Sequence, residues 1–243
     1  MDHHRNQALI CLLARMLDGA AHVAVGNASP IPAAAGLLAQ ALSDGAMRLS
    51  LLGSRSHNFF TDGAREMFDC AAQGRIDAFF MGGGQIDGGA NVNLVGIGEY
   101  PGRTVRFPGS FGTAYLYFLV PRVILFRNEH SRRVLVPKVD FVSAPGTSAD
   151  GLYRPGGPEA LVTNLAVMSF DRDRRRFRLA SVHAGHTVEE VRDNTGFDFD
   201  LADPVPTTAA AEPAYLALLQ RRIGGELAEV YPEFAHAMFG EAA

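Results

Sequence analysis

The chain has 243 residues, room for one large domain or two small ones. Its 22 basic and 26 acidic side chains leave a formal net charge of −4, which argues against a nucleic-acid partner held mainly by phosphate neutralisation. With 47% hydrophobic and 20% charged residues, and with 26 Gly and 13 Pro scattered rather than periodic, the disordered, collagen-like and low-complexity classes are excluded. Cys11 and Cys70 stand far apart, without close Cys or His neighbours, so neither a disulfide framework nor a structural zinc site is indicated. No apolar run approaches the ~18 residues a bilayer crossing needs, and Met1 to Gln7 is polar; a cytoplasmic protein with no membrane partner is expected.

In chain order, Ala8, Leu9, Leu12, Leu13, Met16 and Leu17 recur at helical spacing, and Gly19 supplies a C-terminal turn. His3 and His4 read as a disordered tail. His22 to Gly26 is a short β-type run, and Ser29-Pro30 opens an Ala- and Leu-rich helix to Ala41. The order repeats: Met47 to Leu52 as strand, Ala64 to Ala72 as helix ended by Gly74, then Asp77 to Met81 and Val123 to Phe126 as strands. Asn164 to Phe170 and Phe177 to His183 suit a hairpin around the charged turn Asp171 to Arg176. Thr187-Val188-Glu189-Glu190 fits a capping box, Pro204 and Pro206 mark a linker, and Pro213 onward reads as one or two terminal helices. Strands alternating with helices imply an α/β fold with an open, mainly parallel sheet covered by helices, taken here as a single domain.

Such sheets place ligands beyond the carboxyl ends of their strands. Gly53 to Asn58 follows one strand, Gly82-Gly83-Gly84-Gln85-Ile86-Asp87 through Asn93 follows another, and Phe107-Pro108-Gly109-Ser110-Phe111-Gly112 lies further on. The triple glycine lacks a Walker lysine and a complete G-x-G-x-x-G, so it is either a tight strand connection or a loop whose amides approach a ligand closely. Ser54 and His57 lack the setting of a hydrolase elbow. His183 and His186, two residues apart without an acidic or Cys ligand, read as a strand-exit turn rather than a metal clip.

Gly82 to Asp87, Asn91-Val92-Asn93, Arg106 to Ser110, Lys138-Val139-Asp140-Phe141 with Pro145-Gly146, and Ser181 to Phe197 together resemble, in order, the beta subunit of family I CoA-transferases. The resemblance implies a subunit that is incomplete alone and pairs with a homologous alpha subunit as an αβ heterodimer, extended to α2β2. The transferases carry a nucleophilic glutamate in the loop after the second strand. Here Leu51 to Asn58 holds no acidic residue, and Glu66 sits on the helix expected from Ala64. Serine would form a stable ester instead of the anhydride that transfer needs. The loop Gly53 to Thr61 and Phe68 to Asp77 look most like the steroid ring-cleaving hydrolase branch of the family, whose base is a glutamate on the alpha subunit.

That branch implies water-dependent cleavage of a carbon–carbon bond in a cyclic diketone CoA thioester; the alternative is conventional transfer of CoA between carboxylates. Ser54, His57 and Asn58 are then expected to line the cavity at the lost-glutamate loop. Arg55, Gly83, Gly84, Gln85, Asn93, Gly109, Ser110, Phe111 and Gly112 are expected to bind substrate, in part through backbone donors. No metal and no resident cofactor is expected, CoA entering as part of the substrate.

Overall fold

The computed structural model describes residues 2–240. The chain divides into two compact units, the first running to Phe80 and resuming at Ala209, the second spanning Met81–Thr208, where the sequence suggests a single domain.

The first unit opens with α1 (His3–Arg15), which starts earlier than the apolar periodicity suggests because Asp2 accepts the Arg5 N–H at 3.0 Å. His3 and His4 therefore belong to a capped first turn and are not a tail. β1 (His22–Val25), α2 (Pro30–Leu42), β2 (Arg48–Leu51), α3 (Gly63–Ala72) and β3 (Ala78–Met81) follow in the expected alternation. β1 pairs in parallel with both β2 and β3. Every residue of β1 and β3 is buried, and since successive side chains point to opposite faces, both faces of this sheet are covered. α2 packs on α1, β1 and β2, which explains why its residues Ile31 to Ala39 are buried around the whole helix. Glu66 folds back to accept the N–H groups of Thr61 and Asp62 at 2.6 and 3.1 Å, closing the first turn of α3.

The second unit begins with two antiparallel pairs, β4 (Gln85–Ile86) with β5 (Val92–Asn93) and β6 (Gly96–Ile97) with β7 (Val105–Arg106). α4 (Thr113–Leu119) leads to β8 (Arg122–Phe126), and β9 (Pro158–Val162) pairs with it in parallel. β10 (Ala166–Asp171) and β11 (Arg176–Val182) form the expected hairpin, β10 also lying antiparallel to β9. Thr187 Oγ1 accepts the Glu190 N–H at 3.1 Å and opens α5 (Val188–Asn194); β12 (Asp200–Leu201) then joins β11 in parallel. β9 and α4 carry weak sequence signals and are not expected from them: β9 contains Pro158 and Glu159, and α4 is only 7 residues long.

The chain returns to the first unit through α6 (Pro213–Leu218), a π-helical turn at Leu219–Ile223, α7 (Gly224–Ala228) and α8 (Pro232–Phe239). α7 and the π turn pack on α2. No helix among the described residues is long and apolar enough to cross a membrane.

Candidate active site

β2 ends at Leu51, and the loop beyond its carboxyl end is folded tightly. Leu51 N–H donates to the His57 carbonyl at 2.8 Å, and Leu52 N–H to the Val25 carbonyl at 3.0 Å. Ser54 is only 5% exposed. Its hydroxyl donates to Glu229 Oε2 at 2.7 Å and accepts the His57 N–H at 2.8 Å. Glu229 Oε1 also accepts the backbone N–H groups of Arg55 and Ser56 at 2.6 and 3.2 Å. The π-helical turn and α7 thus bring a carboxylate onto a loop that has none of its own.

The Ser54 hydroxyl is thus a link within the loop and is not paired with an imidazole. The His57 ring instead lies 3.5 Å from Glu226 Oε2, and Glu226 Oε1 accepts from Arg222 Nε at 2.6 Å. Asn58 Oδ1 accepts the Phe60 N–H at 3.1 Å, so Asn58 closes the loop's far end, while Arg55 stays exposed. Glu226 and Glu229 are invisible to sequence reasoning, because nothing in the loop signals a partner about 175 residues away.

The Ser54 hydroxyl, then the Arg55 amide, hold the Glu229 carboxyl below its usual range. A depressed carboxylate stabilises its contacts fully above the ordinary value of about 4.3, and loses them as pH falls through the lower folded value. The Arg55 amide proton is therefore expected to stay strongly downfield on acidification through ordinary carboxylate titration and to move upfield only below it. An upfield move centred at or above that ordinary value would count against the bond.

In the second unit the glycine-rich segment after β3 is a hydrogen-bonded frame. A Cβ on Gly84 would fall 2.1 Å from the Phe107 ring, and its N–H donates to the Asn93 carbonyl at 2.9 Å. Close packing therefore requires this glycine. Asn93 Nδ2 donates to Gln85 Oε1 at 2.7 Å and to the Gly96 carbonyl at 2.8 Å, and Gln85 Oε1 also accepts the Asp140 N–H at 3.0 Å. Gln85 and Asn93 are 5% and 0% exposed, and their side chains serve as members of this frame. Asp87, also buried, accepts the N–H groups of Gly89 and Asn91 at 3.0 and 3.1 Å, and Asn91 Oδ1 accepts the Gly146 N–H at 3.2 Å.

Of the four glycines expected to offer backbone donors, Gly84 and Gly109 use theirs internally, Gly109 on the Leu94 carbonyl at 3.1 Å. The N–H groups of Gly83 and Gly112 make no hydrogen bond among the described residues. The loop before α4 is wound left-handed at Gly109, Phe111 and Gly112, with φ of 107°, 37° and 60°. Phe111 adopts this conformation without being glycine and leaves its ring 75% exposed. The Ser110 carbonyl accepts the Thr113 N–H at 2.8 Å.

The histidines divide by environment. His183 bridges Thr208 Oγ1 at 2.8 Å and the Thr163 carbonyl at 2.9 Å, while His186 pairs with Glu190 at 2.9 Å, so the two do not converge on a common point. His130, not singled out in the sequence, is buried between Thr163 Oγ1 and Thr195 Oγ1, both at 2.8 Å. Among the described residues, no group of three or more His, Cys, Asp or Glu side chains could hold a metal ion. Arg174 and Arg176 of the charged turn flank a polar cleft of about 490 Å³ beside Asp87, Asn91 and Phe197, and both reach Asp200.

Comparison with known proteins decides the family. The coenzyme A transferase family model matches residues 7–194. The chain belongs to the coenzyme A transferase family. The B component of glutaconate CoA-transferase of Acidaminococcus fermentans is 34% identical over 151 residues, 59% of this chain and 56% of that protein. The crystal structure of that organism's glutaconate CoA-transferase superimposes with a TM-score of 0.80 at 23% identity, covering 100% of this chain and 99% of the other, a likeness of fold. The IpdB subunit of the cholesterol ring-cleaving hydrolase of Rhodococcus jostii is 30% identical over 151 residues, 55% of this chain and 54% of that protein. A single-residue variant of the decarboxylase AibA/AibB matches with a TM-score of 0.74 at 26% identity, covering 90% and 95% of the two chains. The matched stretch is thus little more than half the length of the curated relatives. Among the residues that carried the resemblance, Gln85, Asn93 and Asp140 bond one another, as do Asp87, Asn91 and Gly146.

Proposed function

We propose that this chain is the beta-type half of a two-subunit enzyme acting on an acyl-CoA thioester, and that its reaction is hydrolytic ring opening. The observation that carries the reading is the state of the loop after β2. It has no carboxylate of its own, and Glu229, which reaches its backbone from the C-terminal helical segment, is bound by a hydroxyl and two backbone N–H groups. A carboxylate so bound is a weakened nucleophile, because the donated hydrogen bonds stabilise its anion and lower its basicity.

Water then does the cutting. A carboxylate on the alpha partner takes a proton from water; the hydroxide adds to a ring ketone β to a second carbonyl. The bond from that carbon to the carbon between the carbonyls breaks, leaving a carboxylic acid and an enolate that takes up one proton. His57 and Arg55, on the loop after β2, are the groups proposed to face the substrate and its developing charge. The 30% identity to the Rhodococcus jostii hydrolase subunit supports this choice, and the AibA/AibB match supports non-transfer chemistry on the scaffold.

The proposed partner is a homologous alpha subunit, as an αβ heterodimer that doubles to α2β2. Support comes from the apolar side chains that the second unit exposes: Tyr100 at 69%, Phe111 at 75%, Leu152 at 64% and Tyr153 at 84%. We propose no resident cofactor, and a cytosolic location in keeping with two buried, unbridged cysteines.

A second reading, CoA transfer to a carboxylate acceptor, is favoured by the 34% identity to the B component of glutaconate CoA-transferase. One experiment separates them. The co-expressed complex is expected to consume a cyclic diketone CoA thioester with uptake of one water, giving 18O in the new carboxylate from labelled water. It is expected to leave no hydroxylamine-trappable glutamyl adduct on this chain. A trapped adduct, together with CoA movement between carboxylates, would establish the transferase.

A further inference from the structure

We infer that Glu229 is a positioning residue, the anchor through which the C-terminal helical segment sets the shape of the loop after β2 and with it the place of His57. The inference deepens the proposed function and rests on that reading of the loop. Three observations converge. Both oxygens of Glu229 are used, one on the Ser54 hydroxyl and the other on two successive backbone N–H groups, at 2.7, 2.6 and 3.2 Å. Ser54 passes the constraint on, since the same hydroxyl oxygen accepts the His57 N–H at 2.8 Å. The segment that delivers the carboxylate carries a π-helical turn at Leu219–Ile223, an irregularity frequent where a helix must re-aim side chains at a functional site.

One turn earlier, Glu226 faces the His57 ring at 3.5 Å while accepting from Arg222 at 2.6 Å. A single helical segment therefore holds the backbone of His57 through Glu229 and Ser54, and sets Glu226 beside its ring. The loop's own bonds, Leu51 N–H to the His57 carbonyl and His57 N–H to Ser54 Oγ, leave its Arg55 and Ser56 N–H groups to Glu229.

The test uses the co-purified two-subunit complex. Glu229→Ala is expected to lower kcat about 100-fold while KM stays within about threefold, the signature of a displaced group that acts after binding. Glu229→Gln, whose amide oxygen can still accept the Arg55 and Ser56 N–H groups, is expected to restore most of that loss. Amide hydrogen exchange at Arg55 to His57 reads the anchor without reference to any reaction: fast in the alanine variant, slow in the wild type and the glutamine variant. Wild-type kcat in Glu229→Ala, equal losses in both variants, or unchanged exchange overturns the inference. A wild-type complex inert on the diketone thioester overturns the functional reading alone; the exchange series then still decides the anchor, which falls if the alanine variant keeps its protection.

Discussion

Replacement of Asp87 by alanine is expected to destabilise the second unit by about 3–5 kcal/mol, the range for leaving several buried partners of a charged group unpaired. Asp87 Oδ1 accepts from Gly89 N, Asn91 N and Asn91 Nδ2 at 3.0, 3.1 and 3.1 Å, and Oδ2 accepts the Val139 N–H at 3.4 Å. Asp87 is 6% exposed, so water cannot replace these bonds without opening the turn that joins β4 to β5. Asp87→Asn keeps one acceptor oxygen and is expected to cost only about 1–2 kcal/mol. Urea unfolding followed by far-UV circular dichroism measures both, the chain having no Trp for fluorescence. An alanine variant within experimental error of wild type would show that the frame is not held at Asp87.

The second large effect is a pH dependence carried by His130. Burial lowers this imidazole to about 4, against 6.5 for the free side chain. Between these values the unfolded chain binds a proton that the folded chain refuses, so stability falls as pH drops from the upper value and levels off below the lower. The full difference corresponds to about 3 kcal/mol. Burial also lowers His183 in the same unit, and its contribution has the same sign. Carboxylates titrate over the lower part of this window, so the measurement is the difference between wild type and His130→Gln, taken by urea midpoint across the range. The wild type is expected to lose stability more steeply than the variant on acidification; parallel curves would mean that the imidazole takes up its proton within the fold.

Much of the architecture follows from local patterns. The alternation of β1, α2, β2, α3 and β3, the hairpin of β10 and β11, and the Thr187 capping box lie close to where periodicity and caps put them. Each is defined by a few adjacent residues, and their signals do not depend on distant partners. β9 is not legible because Pro158 and Glu159 obscure a strand whose identity comes from its neighbours β8 and β10. α1 begins earlier than its apolar stripe because a cap, and not the stripe, decides where a helix starts.

The candidate site divides in the same way. That Gly83, Gly84, Gln85, Asp87, Asn91 and Asn93 matter is visible from their type and order, but not what they do. The side chains of Gln85 and Asn93 bond each other and the backbone around them, and Gly84 makes room for an aromatic ring from a distant strand end. A motif records that a residue type is required without saying whether a ligand or the protein itself requires it.

From its order of residues alone, this chain determined its α/β alternation, its family and the absence of an acid in the loop after β2, since all three are written in contiguous segments. Only the tertiary structure decided that this loop nevertheless holds a carboxylate, brought by Glu229 from a helical segment far along the chain. The reason is physical: hydrogen bonds between residues distant in sequence leave no mark on local periodicity, and the Ser54 hydroxyl takes its role from whichever partner the fold sets beside it.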